Sequence, residues 1–199
     1  MLKKFVLGTI AAVVLAACGG EGSNSASSAP AQSAASGSLI ERINNKGTIT
    51  VGTEGTYAPF TYHDKDGKLT GYDVEVTRAV ADKLGVKVEF KETQWDSMMA
   101  GLKAGRFDVV ANQVGLTSPE RQATFDKSEP YSWSGAVLVA RKDSNIKSID
   151  DIKGVKTAQS LTSNYGEKAK AAGAELVPVD GLAQSLTLIE QKRADATLN

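Results

Sequence analysis

One cysteine and one histidine in 199 residues leave little scope for metal or redox chemistry. A single cysteine forms neither an intrachain disulfide framework nor a multi-cysteine metal site. The lone histidine, His63, stands in His63-Asp64-Lys65-Asp66-Gly67, a polar run that reads as a surface turn rather than a metal site. Charge of one sign is lacking too. The 23 basic residues balance 23 acidic ones, and no long lysine or arginine run occurs, so nothing points to nucleic acid. Aromatics make up only 6% of the chain. Neither a metal nor a cofactor is expected. The apolar run at 5–17 is too short to span a bilayer comfortably.

That run has an address-like context. Lys3 and Lys4 precede it as a positive n-region, and it ends in Leu15-Ala16-Ala17-Cys18-Gly19. The arrangement resembles a bacterial lipoprotein signal. The resemblance implies cleavage before Cys18, diacylglycerol on its thiol and acylation of the new amine. Several acyl chains anchor firmly, because each buried methylene contributes about 0.8 kcal/mol. Residues 1–17 are therefore expected to be a signal peptide, and the protein to be extracytoplasmic and membrane-anchored, on the periplasmic side or the cell surface. Residues 18–37, rich in Ser, Ala, Gly and Asn, read as a flexible tether.

Folded sequence begins at Ser38-Leu39-Ile40-Glu41, a capping box, with Gly47 closing the short helix. An alternation of strands and helices follows. The pattern predicts a strand at 48–52, short strands at 60–62 and 69–71 around a turn, and a helix capped by Asp73. Val76, Ala79, Val80, Lys83 and Leu84 share one face of that helix, and Gly85 ends it. A strand at 86–90, a helix at 97–104 with Met98, Met99 and Leu102 as core, and a strand at 108–111 complete the first unit. The apolar stretch 135–141 leaves it. A second unit has a turn at 149–153, a strand at 155–158 and a helix after Thr162 and Ser163. It continues with a strand at 175–179, a helix at 182–193 and a strand at 194–198. Alternating strands and helices argue an α/β fold with parallel sheets and a ligand at the carboxyl ends of the strands. Residues 54–57, Trp95 and 113–121 all lie at such ends. The expected organisation is lobe one at 38–134, a crossing at 135–141 and lobe two at 142–199.

The stretch 109–131 carries the most local chemistry. Ser118 suits an N-cap, Pro119 the first helical position and Glu120 the first turn. Free backbone N–H groups and the positive end of a helix dipole therefore meet beside Arg121, which makes a small anion site. An arginine there forks onto a carboxylate through two charge-assisted hydrogen bonds.

Several motifs in order resemble one family. They are the runs 52–60 (GTEGTYAPF), 67–74 (GKLTGYDV), 118–121 (SPER), 125–131 (FDKSEPY) and 149–154 (IDDIKG). Together they resemble the polar amino-acid substrate-binding proteins of ABC importers, over essentially all of 39–199. The resemblance implies a two-lobe clamp of the type II periplasmic-binding-protein kind, closing by a hinge on a free amino acid. It implies that Arg121 binds the ligand's α-carboxylate, and that Thr162 and Ser163 complete that site from lobe two. Tyr57 and Trp95 match the aromatic pair around the ligand's aliphatic part, and Glu54 a position that contacts its side chain.

Two departures qualify the match. The run Asn112-Gln113-Val114-Gly115-Leu116-Thr117 is one residue longer than the family pattern, so Gln113, Gly115 and Thr117 all stay open as ligand contacts. Its Asn-Gln-Val start resembles the cystine- and cysteine-binding branch. The family also continues past residue 199, where it places the acidic partner of the α-ammonium. Lobe two is accordingly expected to be incomplete, with the 194–198 strand leaving an edge and an apolar face bare. The implied partners are a free amino acid, an ABC permease with its ATPase, and the membrane through a lipid anchor. A dehydratase-like enzyme and a ligand sensor or adhesin on the same fold are the alternatives.

Overall fold

The computed structural model describes residues 37–199, and the expected signal, Cys18 anchor site and most of the tether lie outside the described residues. Folding starts where the capping box is written. Helix α1 (Leu39–Lys46) begins with Ser38 Oγ accepting from the Glu41 N–H at 3.3 Å while Glu41 accepts from the Ser38 N–H at 2.7 Å. Gly47, at φ 67°, ends it in the left-handed conformation that favours glycine.

The first sheet is parallel. Strand β1 (Thr48–Thr53) is almost wholly buried and lies between two later strands, β5 (Lys87–Glu92) and β6 (Val109–Val110). Val51 pairs with Phe90 on one side and with Val109 on the other. A small antiparallel sheet stands at the end of β1, built from β2 (Thr56–Tyr57), β3 (Thr61–His63) and β4 (Leu69–Thr70). The sequence pattern had no strand at β2. His63, in β3, is a partner of Glu92, 3.1 Å away.

Helix α2 (Tyr72–Leu84) corrects two expectations. Its cap is Gly71, at φ 121°, and Asp73 lies inside the first turn without capping it. The reason is nonlocal. The N–H groups of Tyr72 and Asp73 donate to the carbonyls of Pro59 and Phe60 at 3.0 and 2.9 Å, so no side-chain cap is needed. A side chain at residue 71 would run into the Phe60 carbonyl, which is why glycine stands there. The inward face is Asp73, Val74, Thr77 and Ala81, whereas Val80 and Leu84 are exposed. The helix has two apolar stripes, and it is the one interrupted by polar residues that meets the sheet.

Helix α3 (Trp95–Lys103) buries Met98 completely, with Met99 and Leu102 partly buried. Helix α4 (Pro119–Thr124) starts as its residues dictate. Ser118 Oγ accepts from the Arg121 N–H at 3.3 Å and Pro119 takes the first position.

The second sheet contains β7 (Leu138–Ala140), β8 (Lys156–Gln159), β9 (Glu175–Pro178) and β10 (Ala196–Leu198), in the order β7-β10-β8-β9. Strand β7 is antiparallel to β10 and the other pairs are parallel. Helix α5 (Asn164–Ala171) follows β8, and α6 (Leu182–Glu190) follows β9. The expectation of a bare final strand is overturned. All three residues of β10 are buried, and it is an inner strand. The chain at 137–140 folds back along it, and Val137 and Asn199 exchange reciprocal backbone bonds of 2.7 and 2.9 Å.

Each sheet has its own core. Ile43, Ile49, Val51 and Ala81 cluster at the first. The second has one cluster around Leu188 and Ile189 of α6, and another joining Ile152, Ala169, Ala196 and Leu198. Among the described residues no helix is long and apolar enough to cross a membrane.

Candidate functional site

The strands of both sheets end at one cavity, and the chemistry of its wall starts with Glu54, just past β1. Asn112, two residues past β6, holds it from both sides. Asn112 Oδ1 accepts from the Glu54 N–H at 2.8 Å and its Nδ2 donates to Glu54 Oε2 at 2.6 Å. Burial pushes the Glu54 carboxyl above its ordinary value. The Asn112 bond opposes this, and the negative charge of Asp96 adds to it. Tyr57, on β2, places its ring 5.2 Å from that of Phe60 and donates its hydroxyl to Asn199 Oδ1 at 2.7 Å. Burial first, then the Tyr165, Glu54 and Asp73 groups, raise its hydroxyl to about 12.

Gln113 is held in an unusual backbone conformation, with φ 51°. Asp73 is the anchor. Its two oxygens accept from the Gln113 N–H at 2.7 Å and from Nε2 at 2.6 Å. Gln113 Oε1 in turn accepts from Ser132 Oγ at 3.0 Å. The side chain expected to touch ligand is thus committed at both ends of its amide. Asp73 has no solvent exposure, and burial raises its carboxyl against the lowering effect of the Gln113 bonds.

Arg121 is buried, at 8% exposure. It donates Nη1 to the Gly115 carbonyl at 3.0 Å and Nη2 to the Thr162 carbonyl at 2.7 Å, and its guanidinium carbon is 5.4 Å from the centre of the Trp95 ring. Lobe one therefore reaches lobe two through this residue. Two of five guanidinium donors are spent, which leaves three. Thr162 is exposed, and its N–H and hydroxyl are both bound by Asp96. Ser163 is buried and caps α5, accepting from the Gly166 N–H at 2.9 Å.

The cavity measures ≈ 70 Å³. Of the residues expected from sequence, Glu54, Tyr57, Trp95, Gln113 and Ser163 line it, while Gly115, Thr117, Arg121 and Thr162 do not. Thr117 is exposed. Asn112, Asn164, Tyr165 and Asn199 also line the wall and were not anticipated. Their position was the available signal: Asn112 and Asn199 follow strands, and Asn164 and Tyr165 open the helix behind the Ser163 cap. A second cavity of ≈ 270 Å³ continues past Glu54, between Glu92, Gln94 and Asp180. Three aromatic rings, Tyr57, Trp95 and Tyr165, among amides, hydroxyls and one carboxylate suit a small polar molecule with an aliphatic part. Among the described residues no group of three His, Cys, Asp or Glu side chains could hold a metal ion.

Comparison with known proteins places this geometry. The model of the bacterial extracellular solute-binding proteins, family 3, matches residues 49–198. The chain is 55% identical over 201 residues to the L-cystine-binding protein TcyA of Bacillus subtilis (strain 168), covering 100% of this chain and 72% of that one. It is similar to the crystal structure of the ancestral amino acid-binding protein AncCDT-1, with 36% identity, a TM-score of 0.76, and coverage of 81% of this chain and 74% of that one. It also matches the crystal structure of the L-cystine solute receptor of Neisseria gonorrhoeae in the unliganded open conformation, with 96% identity, coverage of 82% and 69%, and a TM-score of 0.49. The chain spans between 49% and 72% of the length of the curated relatives compared.

Proposed function

Because the chain belongs to the bacterial extracellular solute-binding proteins of family 3, with their two-lobe α/β clamp, we propose that it is the receptor of an amino-acid importer. It binds a free polar amino acid between its lobes, L-cystine or cysteine first, and delivers it to an ABC permease and its ATPase. The observation that carries this reading is the cavity between the two sheets, lined by Tyr57 and Trp95 from one lobe and by Ser163 and Tyr165 from the other. The preference for cystine is supported by the 55% identity to TcyA over the whole chain. In this reading residues 38–134 and 142–199 supply the lobes and 135–141 one crossing. Ser163 meets the α-carboxylate on the cavity wall, and Arg121 reaches it from behind that wall with the donors it has left. Tyr57 and Trp95 flank the aliphatic part, and Glu54 and Gln113 face the remainder. Cys18 carries the lipid that keeps the receptor at the membrane.

The test is a thermal-shift and calorimetric screen of the full-length protein against L-cystine, cysteine and the other free amino acids, with a sugar as control. A ligand that binds only the folded state adds about 2.7 kcal/mol of stability at a hundred times its Kd. Cystine or cysteine should raise the melting temperature most. A response to the sugar, with none to any amino acid, would overturn the reading. The raised Glu54 carboxyl favours a dehydratase-like acid–base role, with Asp73, also raised by burial but committed to Gln113, as its pair. We read it as a binding-wall group, and a turnover assay that consumes a bound substrate would reverse that assignment.

A further inference from the structure

Asp96 belongs to lobe one, in the first turn of α3, and its carboxylate reaches across to lobe two. One oxygen accepts from the Thr162 N–H at 3.0 Å and the Thr162 hydroxyl at 2.7 Å, and the other from the Leu161 N–H at 3.4 Å. Thr162 lies just ahead of the Ser163 cap of α5, so the carboxylate stands between the starts of two helices, where both dipoles favour a negative charge. Arg121 closes the same bridge from the other direction by donating to the Thr162 carbonyl. Every polar backbone and side-chain group of Thr162 is thereby held by lobe one. None of Asp96, Arg121 and Thr162 lines the cavity, whereas Ser163, the next residue, does.

We propose that Asp96 is an inter-lobe latch, whose carboxylate docks on the N–H groups of Leu161 and Thr162 and on the Thr162 hydroxyl to hold the clamp closed beside the bound ligand. The proposal deepens the clamp reading above and rests on it. It divides the work at the turn: Thr162 serves the latch, and Ser163 serves the cavity. Contacts made in the closed state and broken in the open one shift the population toward closure, whatever fills the cavity. Because the bonds are solvent-exposed, their effect is moderate in size.

The experiment uses the full-length protein with Asp96→Ala, Asp96→Asn and Thr162→Val, read in two ways. Stopped-flow binding of L-cystine should give a dissociation rate about three- to tenfold faster in Asp96→Ala, with the association rate unchanged, since the latch forms after the ligand has entered. Asp96→Asn keeps one acceptor oxygen and should fall between wild type and Asp96→Ala. Thr162→Val should reproduce part of the effect and be non-additive with Asp96→Ala. Hydrogen exchange at the Leu161 and Thr162 amides should quicken in Asp96→Ala while the amides of β1 and β8 keep their protection, which excludes misfolding. Tighter cystine binding by Asp96→Ala would overturn the proposal, because the carboxylate would then be competing with ligand for the Thr162 donors. So would unchanged dissociation together with unchanged amide exchange. If wild type binds no amino acid, the ligand reading fails, and amide exchange alone decides the latch: faster exchange in Asp96→Ala supports it and equal exchange sinks it.

Discussion

Replacing Asp73 by asparagine should destabilise the protein, although it removes a buried charge and preserves the shape of the side chain. The carboxylate is fully buried and both oxygens are in use, one on the Gln113 N–H at 2.7 Å and one on its Nε2 at 2.6 Å. Asparagine offers one oxygen and one NH2 group, so a Gln113 donor is left facing another donor. An orphaned buried donor costs about 1–3 kcal/mol, and the bond that survives loses its charge assistance. Relief from burying a charge offsets part of this, since desolvation already holds the Asp73 carboxyl above its ordinary value. The net loss should be about 2 kcal/mol, or roughly 4–8 °C in Tm for a chain of this size. Backbone strain adds a signature. Gln113 sits at φ 51°, a conformation costing a non-glycine residue about 1–2 kcal/mol, so Gln113→Gly in the Asp73→Asn background should recover about 1 kcal/mol. The sign with pH is also fixed. A carboxyl whose pKa is raised on folding contributes stability that is present below its unfolded value of 3.8 and lost as pH rises through its folded value. Wild type should therefore lead Asp73→Asn by most on the acid side, and by less at neutral pH. Urea unfolding at several pH values measures all three effects. A variant as stable as wild type at pH 5 would mean that the Gln113 bonds contribute nothing net.

Two further outcomes follow from the site and one from the lipoprotein signal. Arg121→Lys should lose one of the two carbonyl bonds and the alignment over Trp95, and cost about 1–3 kcal/mol of stability in urea unfolding, because an ammonium is a point charge and not a fork. A variant within error of wild type would make the arginine a bystander. Glu54→Gln should flatten the stability–pH curve above 4.5, since the raised Glu54 carboxyl sheds its contribution as pH climbs through its folded value, and a titration of wild type finding Glu54 at or below 4.5 would contradict this. Cys18→Ser should leave an unlipidated precursor uncut before residue 18, as read by mass spectrometry, and a normally cleaved but unlipidated wild type would remove the lipoprotein reading.

Local chemistry was legible in the sequence, and nonlocal satisfaction was not. Ser38, Ser118 and Ser163 each announce a helix start, and each cap forms, because capping involves only the next three residues. Asp73 carries the same type of signal and does something else. The helix already starts one residue before it, with the Tyr72 and Asp73 N–H groups met by Pro59 and Phe60, more than ten residues earlier in the chain, and the Asp73 carboxylate goes to Gln113 instead. The α2 face failed for a related reason. Periodicity gives the stripes of a helix but not the one the sheet will cover, and here it covers the stripe holding Asp73 and Thr77. Strand order is equally invisible to pattern. Residues 194–198 read as the last strand and therefore an outer one, yet the 137–140 segment pairs along the open side of the strand that forms there, Ala196–Leu198. At the site, aromatic residues at strand ends could be recognised, whereas nothing local marks Asp96, because its partners Leu161 and Thr162 lie in the other lobe, far along the chain.

The distribution of apolar and polar contact explains how such a clamp can move. The buried clusters each stay with one sheet, so among the described residues no apolar core spans the two lobes. What crosses between them is a short series of hydrogen bonds: Tyr57 to Asn199, Arg121 to Thr162, and Asp96 to Leu161 and Thr162. Opening therefore exposes polar groups that water can satisfy, and each such exchange is worth only about 0.5–1.5 kcal/mol. A clamp with one shared core would be locked shut, and one with no crossing bonds would give a ligand nothing to complete. With closure balanced this finely, a ligand that touches both walls of the cavity can decide it, because it shifts the equilibrium by its difference in affinity for the two states and by nothing else. If Asp96 latches the lobes as proposed, single polar residues at the rim then set how long the ligand stays.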